Sequence, residues 1–280
     1  MLSDFTDRTW LWIAAAFYLV GLVWGTIALL RGGKPSNAVN YAAIVAGYIA
    51  QIYGLYLRGR AVGGCPLGNT FEIFQFTAWS ATSLYLCVGV TFRSSLLGYF
   101  TACLTAVLTL LSLGIRPWDS ALRTHIFGGN PWIELHAALA VFSYGIFGLL
   151  ALTALMLLLR NYSLKAKHLG GWFSFLPSIL DLDHISVRLL AAGVAVLGGA
   201  LVLGGIYWVR DFSSVNVSKL LITIGVWVAY LVGFVLRIRG RLLGKRFAWT
   251  CVVLFAAALL SLDLVNASRH PPPPAHTTPR

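Results

Sequence analysis

Stretches of about 20 apolar residues recur along the whole chain, broken by short polar clusters. Eight such segments can be drawn, at about 10–30, 38–57, 71–91, 95–115, 132–159, 187–208, 218–236 and 247–264. Each is long enough to cross a hydrocarbon core of about 30 Å. Backbone amides in lipid must find partners within their own segment, so spans of this length predict helices rather than barrel strands. Turn-forming clusters such as "RGGKPSN", "GRAVGGCPLGN" and "FGGNP" separate several of them. Two connections are longer, residues 116–131 and 160–186. The pattern predicts an all-α fold, a polytopic membrane helix bundle of about eight transmembrane helices. It forms one transmembrane domain over residues 1–264, followed by a proline-rich tail at 265–280. No internal repeat and no soluble domain is visible.

Composition agrees: 11% of residues are charged, against roughly 25% in a soluble domain. The net charge of +12 does not point to nucleic acid, because the cations gather in the connections between spans. Twelve of the 21 Lys and Arg residues fall in the odd-numbered connections, five of them in "RIRGRLLGKR". The excess of cations on the cytoplasmic side of membrane proteins then places the odd connections inside and both termini outside, in a bacterial inner (cytoplasmic) membrane. The amino terminus does not read as a signal peptide, since Asp4 and Asp7 interrupt any basic leader and the apolar run continues to Leu30. Of four cysteines, Cys87, Cys103 and Cys251 fall within spans and Cys65 in a loop. No CxxC or CxxCH occurs, so no zinc site, dithiol centre or covalently attached haem is expected.

Ionisable groups within membrane spans are few, and such groups tend to mark function. His136 sits about one turn inside the fifth span, with Ala140, Ser143 and Tyr144 following at helical spacing. It is either a core histidine bonded to a backbone carbonyl or to Glu134, or a ligand for haem iron, which neutral imidazole commonly binds. Glu72 opens the third span in "PLGNTFEIFQF", where the helix dipole favours a carboxylate and Asn69 or Thr70 can cap the helix. Three further histidines bear on a second ligand. His125 and His270 fall on the same side as His136, and His184 on the opposite side. Many of the ten Trp lie near span ends, as in an interfacial belt. Trp118, Trp132 and Trp208 share the rim with His136.

Three stretches, "PLGNTFEIFQFTAW" at 66–79, "PWIELHAALAVFSYG" at 131–145 and "LDHISVRLLAAGVAVLGGALVLGGIYW" at 182–208, occur in this order. Together they resemble the cytochrome c assembly family, the CcsA/CcmC-type haem-handling membrane proteins. The resemblance covers roughly residues 60–265. It implies non-covalent haem b at the outer membrane face, ligated by a histidine pair. His136 falls on the first member of that pair and His270 is the candidate for the second. Trp132, Ser143, Tyr144 and Trp208 would shape the pocket, with Glu72 in support.

The family's longer Trp-rich motif is replaced here by "YWVRDFSSVNVSK", with Trp208 and Asp211 as its remnants, and "GFVLR" stands where full haem exporters carry an inner histidine. That pattern is closer to the shorter, HemX-like branch. The function expected is that of a haem chaperone or assembly factor in cytochrome c biogenesis. It would present haem to apocytochrome c with a companion assembly membrane protein, as at most one part of a haem-lyase complex, and no catalytic residue is assigned. Alternatives are a HemX-like membrane regulator of haem biosynthesis without haem delivery, or a small-molecule transporter.

Overall fold

The structure, a computed structural model, describes residues 6–31, 37–89, 97–120, 122–126, 130–167, 176–208 and 217–267. Eight long helices run through them: α1 (Asp7–Leu30), α2 (Asn37–Val62), α3 (Thr70–Gly89), α4 (Leu97–Gly114), α5 (Pro131–Lys165), α6 (Ile179–Trp208), α7 (Val217–Ile238) and α8 (Gly244–Ala267). A short 3-10 turn, Arg116–Asp119, follows α4, and no strand occurs among the described residues. The eight expected spans are thus eight helices. Several outrun their apolar segments: α5 continues past Arg160 to Lys165, and α6 begins eight residues earlier than its apolar run, including Asp181 and Asp183. Charge marks where a helix leaves lipid, not where it stops, because Lys and Arg propagate a helix in water at little cost and an Asp is favoured in a first turn.

Seven helices are long and apolar enough to cross a membrane, and α3 is the exception. It carries Glu72, Gln75, Thr77, Ser80 and Thr82, all buried. A helix walled off from lipid by its neighbours can hold polar side chains that a lipid-facing helix cannot, provided each finds a hydrogen bond. Thr77 and Thr82 donate to the carbonyls of Ile73 and Ala78, and Gln75 Nε2 donates to Ser112 Oγ at 2.8 Å.

α5 is the axis of the molecule. Asn130 caps it by accepting from Trp132 N at 3.1 Å, Pro131 supplies its first residue, and Glu134 lies in its first turn. It packs along α6 and also touches α3 and α8, while α1 pairs with α2 and α4, and α7 lies outside against α6 and α8. Helices in lipid gain nothing from leaving water for one another, so close contact depends on small residues. Gly145 is that residue between α5 and α3: a Cβ there would strike Ser80 Oγ and come within 2.7 Å of the Ala81 backbone nitrogen. Phe147 and Tyr230 stack in parallel at 3.6 Å between centroids, tying α7 to α5.

Candidate functional site

His136 faces α6. Its Nδ1 lies 2.6 Å from the carbonyl oxygen of Ala200, and since a carbonyl can only accept, Nδ1 carries the proton. In the neutral ring the lone pair is then on Nε2. The imidazole lies flat against Gly204, one turn further along α6, where an added Cβ would stand 2.6 Å from Cε1 and 2.9 Å from Nδ1. Ala200 and Gly204 together form a seat for the ring, one supplying the acceptor and the other the room. The side chain is half-buried, as are Ala137 and Ala140 beside it, whereas α5 is fully buried from Ser143 to Ala154. The first three turns of α5 are therefore accessible where the middle of the helix is enclosed.

The other expected residues divide into three groups. Ser143 follows on the His136 face two turns further in, fully buried, its hydroxyl donating to Ala140 O at 2.6 Å. Trp132 is on the first turn of α5 and 54% exposed, available at the rim. Trp208 closes α6 at the same end of the bundle. Tyr144 turns away, packing with Ile73 of α3 and Ala258 of α8. His270 and Asp211 lie outside the described residues.

His125, the other outer histidine, packs on Gly63, and the Glu134 carboxylate packs on the adjacent Gly64. Glu134 is two residues before His136 and so on the opposite side of α5. The structure thus brings His125 to the Glu134 side and not to the imidazole face. His184 is exposed near the start of α6, at the far end of the bundle. Trp118 packs on Phe74 at 4.7 Å, within the α3–α4 region.

Glu72 belongs to a separate cluster. Its carboxylate accepts from Arg58 Nε at 2.8 Å and from Gly68 N at 2.6 Å, while its own backbone N–H is capped by Asn69 at 2.8 Å. Arg58 continues to Asp7 at 2.9 Å and to Asp119, which also pairs with Arg8. Both guanidinium groups lie over the Phe71 ring, at 5.2 and 5.3 Å. Three carboxylates and two guanidiniums from α1, α2, α3 and the turn after α4 thus close one end of the α1–α4 half. Below them Tyr18 donates to Gln51 and Gln51 to Gln75, extending the network inward.

Nothing in the spacing announced this knot, although Asp7, Arg58, Glu72 and Asp119 all stand just outside or at the edge of an apolar run on one side. Cys65, half-buried on the adjoining loop, is an inert thiol: burial, with the negative charge of Glu134 and Glu72, pushes its pKa up to about 12.

A family model for "Cytochrome C assembly protein" matches residues 67–270, from the Glu72 loop across both walls of the His136 seat. The chain belongs to the cytochrome c assembly family. Among its relatives, Protein HemX of Brevibacillus brevis is 26% identical over 179 residues, 64% of this chain and 65% of HemX. Inner membrane protein YpjD of Escherichia coli K12 is 25% identical over 212 residues, 74% of this chain and 79% of YpjD. The cytochrome c biogenesis protein CcsA of Trichormus variabilis is 23% identical over 163 residues, 56% of this chain but 46% of CcsA. The chain therefore spans about two thirds of HemX and under half of CcsA, which agrees with a HemX-like branch of this family.

The residues present fit haem, the group that cytochrome c assembly proteins handle. A neutral imidazole suits haem iron, and ligating histidines characteristically donate their second ring N–H to a carbonyl or carboxylate. Ala137 and Ala140 add little bulk beside the ring. Among the described residues, no three His, Cys, Asp or Glu side chains gather into a site for a free metal ion.

Proposed function

We propose that this protein binds haem b non-covalently through His136 and holds it at the outer face of the bacterial inner membrane for attachment to apocytochrome c. It works there with a companion membrane protein of cytochrome c assembly. The observation that carries the reading is the bond from His136 Nδ1 to Ala200 O, which leaves Nε2 as the lone-pair atom and fixes the ring plane against Gly204. Bound haem would supply the iron and the vinyl groups that an apocytochrome's thiols take up.

The chain's own residues then have distinct tasks. His136 binds; the Ala200 carbonyl holds its tautomer and orientation. Trp132 offers an apolar face at the rim, Trp208 is the candidate rim residue at the end of α6, and His270 is the candidate for the second axial position. Ser143 shapes the floor below the seat, whereas Tyr144, packed on Ile73 and Ala258, does not reach it. Glu72, engaged with Arg58, acts from a distance by fixing the α2–α3 end of the bundle. The Cys65 thiol, held protonated, takes no part in thiol chemistry, so reductant for iron and thiols comes from other proteins. The outward placement of His136 follows from the distribution of Lys and Arg among the connections.

The test is an absorption spectrum of the detergent-purified protein, oxidised and reduced, for wild type and His136→Ala. A Soret band with sharp reduced α and β bands, lost or shifted in the variant, is the expected result. Wild-type protein that stays haem-free after expression with ample haem would overturn the reading and leave His136 as a packing histidine.

A further inference from the structure

The opposite end of α5 carries a second feature, which the haem reading does not use. Between the last turns of α5 and the first turns of α8 lies a cleft of about 390 Å³. Leu155, Leu158, Leu159 and Trp249 wall it, and Lys165 and Lys245 stand at its lip. Leu155 and Trp249 are 40% and 52% exposed, so the apolar wall opens sideways, toward the surface that the bundle turns to lipid. Among the described residues, no carboxylate lines the cleft.

We propose that this cleft is a binding site for one anionic phospholipid. An acyl chain would lie along the leucines and Trp249, with its phosphate between Lys165 and Lys245. The spacing along α5 supports this. Leu159 ends the apolar part of the helix, and Lys165, six residues on, stands about 9 Å beyond it at 1.5 Å per residue. The headgroup layer lies within about the same distance of the hydrocarbon edge. Lys245 is the second residue of α8, so its ammonium and the partial positive charge of a helix start act on the same point. Lysine stems extend along apolar surface with the charge held outward, and a Trp at this level is where amphipathic rings settle. A soluble anion would have use for the lysines alone; the apolar wall that continues from them is what a lipid adds. The site is independent of His136 and stands or falls without it.

Trp249 gives a direct readout through quenching by dibrominated lipid in mixed micelles of the full-length protein. Subtracting the curve for Trp249→Phe isolates its signal. Dibrominated phosphatidylglycerol is expected to half-quench Trp249 at a roughly thirtyfold lower mole fraction than dibrominated phosphatidylcholine, as two lysines near a surface imply. The double variant Lys165→Gln/Lys245→Gln should abolish the preference and leave quenching by phosphatidylcholine unchanged. A charge-matched control, Arg188→Gln/Arg241→Gln, at exposed positions outside the cleft, should keep it. Equal quenching by the two lipids in the wild type would overturn the proposal, as would a preference that survives the double variant. Loss of preference in the control to the same degree would also overturn it, by assigning the effect to diffuse charge. Displacement by millimolar inorganic phosphate would overturn it in favour of a soluble anion.

Discussion

Gly204→Ala is the sharpest probe of the His136 seat, because it changes no group that touches a ligand. The new methyl would stand 2.6, 2.9 and 3.3 Å from Cε1, Nδ1 and Nε2 of His136, where non-bonded carbon atoms settle at about 3.5–4.0 Å. The ring must therefore retreat by about 1 Å. Retreat along the ring normal carries Nδ1 out of line with the Ala200 carbonyl, so the 2.6 Å bond is weakened or lost through misalignment. Losing it costs about 1 kcal/mol, and alanine in place of glycine inside a helix returns a similar amount. Net stability should scarcely move. Haem affinity, in contrast, should fall about tenfold or more, as loss of an orienting partner does for metal-bound histidines.

The control is Gly199→Ala on the same helix, where an added Cβ meets nothing within 4 Å; it should bind haem as the wild type does. Soret titration of the three purified proteins, with thermal melts in the same detergent, checks both halves. A Gly204→Ala protein that binds haem normally would refute the seat, and with it the role of His136.

Other substitutions test the frame around that site. Arg58→Met leaves Glu72, Asp7 and Asp119 without their shared cation and should destabilise the fold by about 3–5 kcal/mol, measured by unfolding in detergent. Gly145→Ala forces α3 and α5 apart at Ser80 and Ala81 and should cost about 3 kcal/mol, seen as a lower melting temperature and reduced yield. The Tyr230 hydroxyl is buried with no hydrogen-bond partner among the described residues. Tyr230→Phe should therefore keep the stack on Phe147 and gain about 1 kcal/mol in the same melts. With its pKa near 12, against an ordinary value of 9.0, Cys65 holds about a thousandfold less thiolate than a free cysteine at pH 8. Labelling of a variant retaining Cys65 alone should be slow at pH 8, rise tenfold per pH unit up to about pH 12, and become rapid at pH 8 once the protein is denatured.

Helix number and type were legible from hydrophobic runs alone, since lipid permits few alternatives. The ends of α5 and α6 were not, because the apolar pattern reports the bilayer edge and the backbone continues through Lys165 and Asp181 without a breaker. His136 was legible as an anomaly, one titratable ring in an apolar helix. Both readings of it meet in the same contact, for a carbonyl partner is what a packing histidine needs and also what orients a ligand. The Ala200 carbonyl itself leaves no trace in a sequence. The Gly-Gly pairs of "VLGGALVLGG" are the sign that something approaches α6 closely, although they do not say what. Glu72 illustrates a different limit. Its position in the first turn of α3 was readable, yet its partner Arg58 comes from another helix, and pairing across helices is set by packing rather than by local pattern.

The polarity of α3 has a consequence for how the chain is made. Presented alone to a translocon, Thr70–Gly89 carries an acid, a glutamine and several hydroxyls, and partitions into lipid less readily than its seven companions. α1 and α2 precede it and can receive it: Arg58 and Gln51 are already in place to meet Glu72 and Gln75. Ser112 and the rest of its enclosure arrive later, with α4 and α5. Entry of α3 into the membrane is thus a joint act of neighbours on both sides in the chain. A nascent protein halted after Gly89 would expose to lipid the polar side chains that the finished protein encloses.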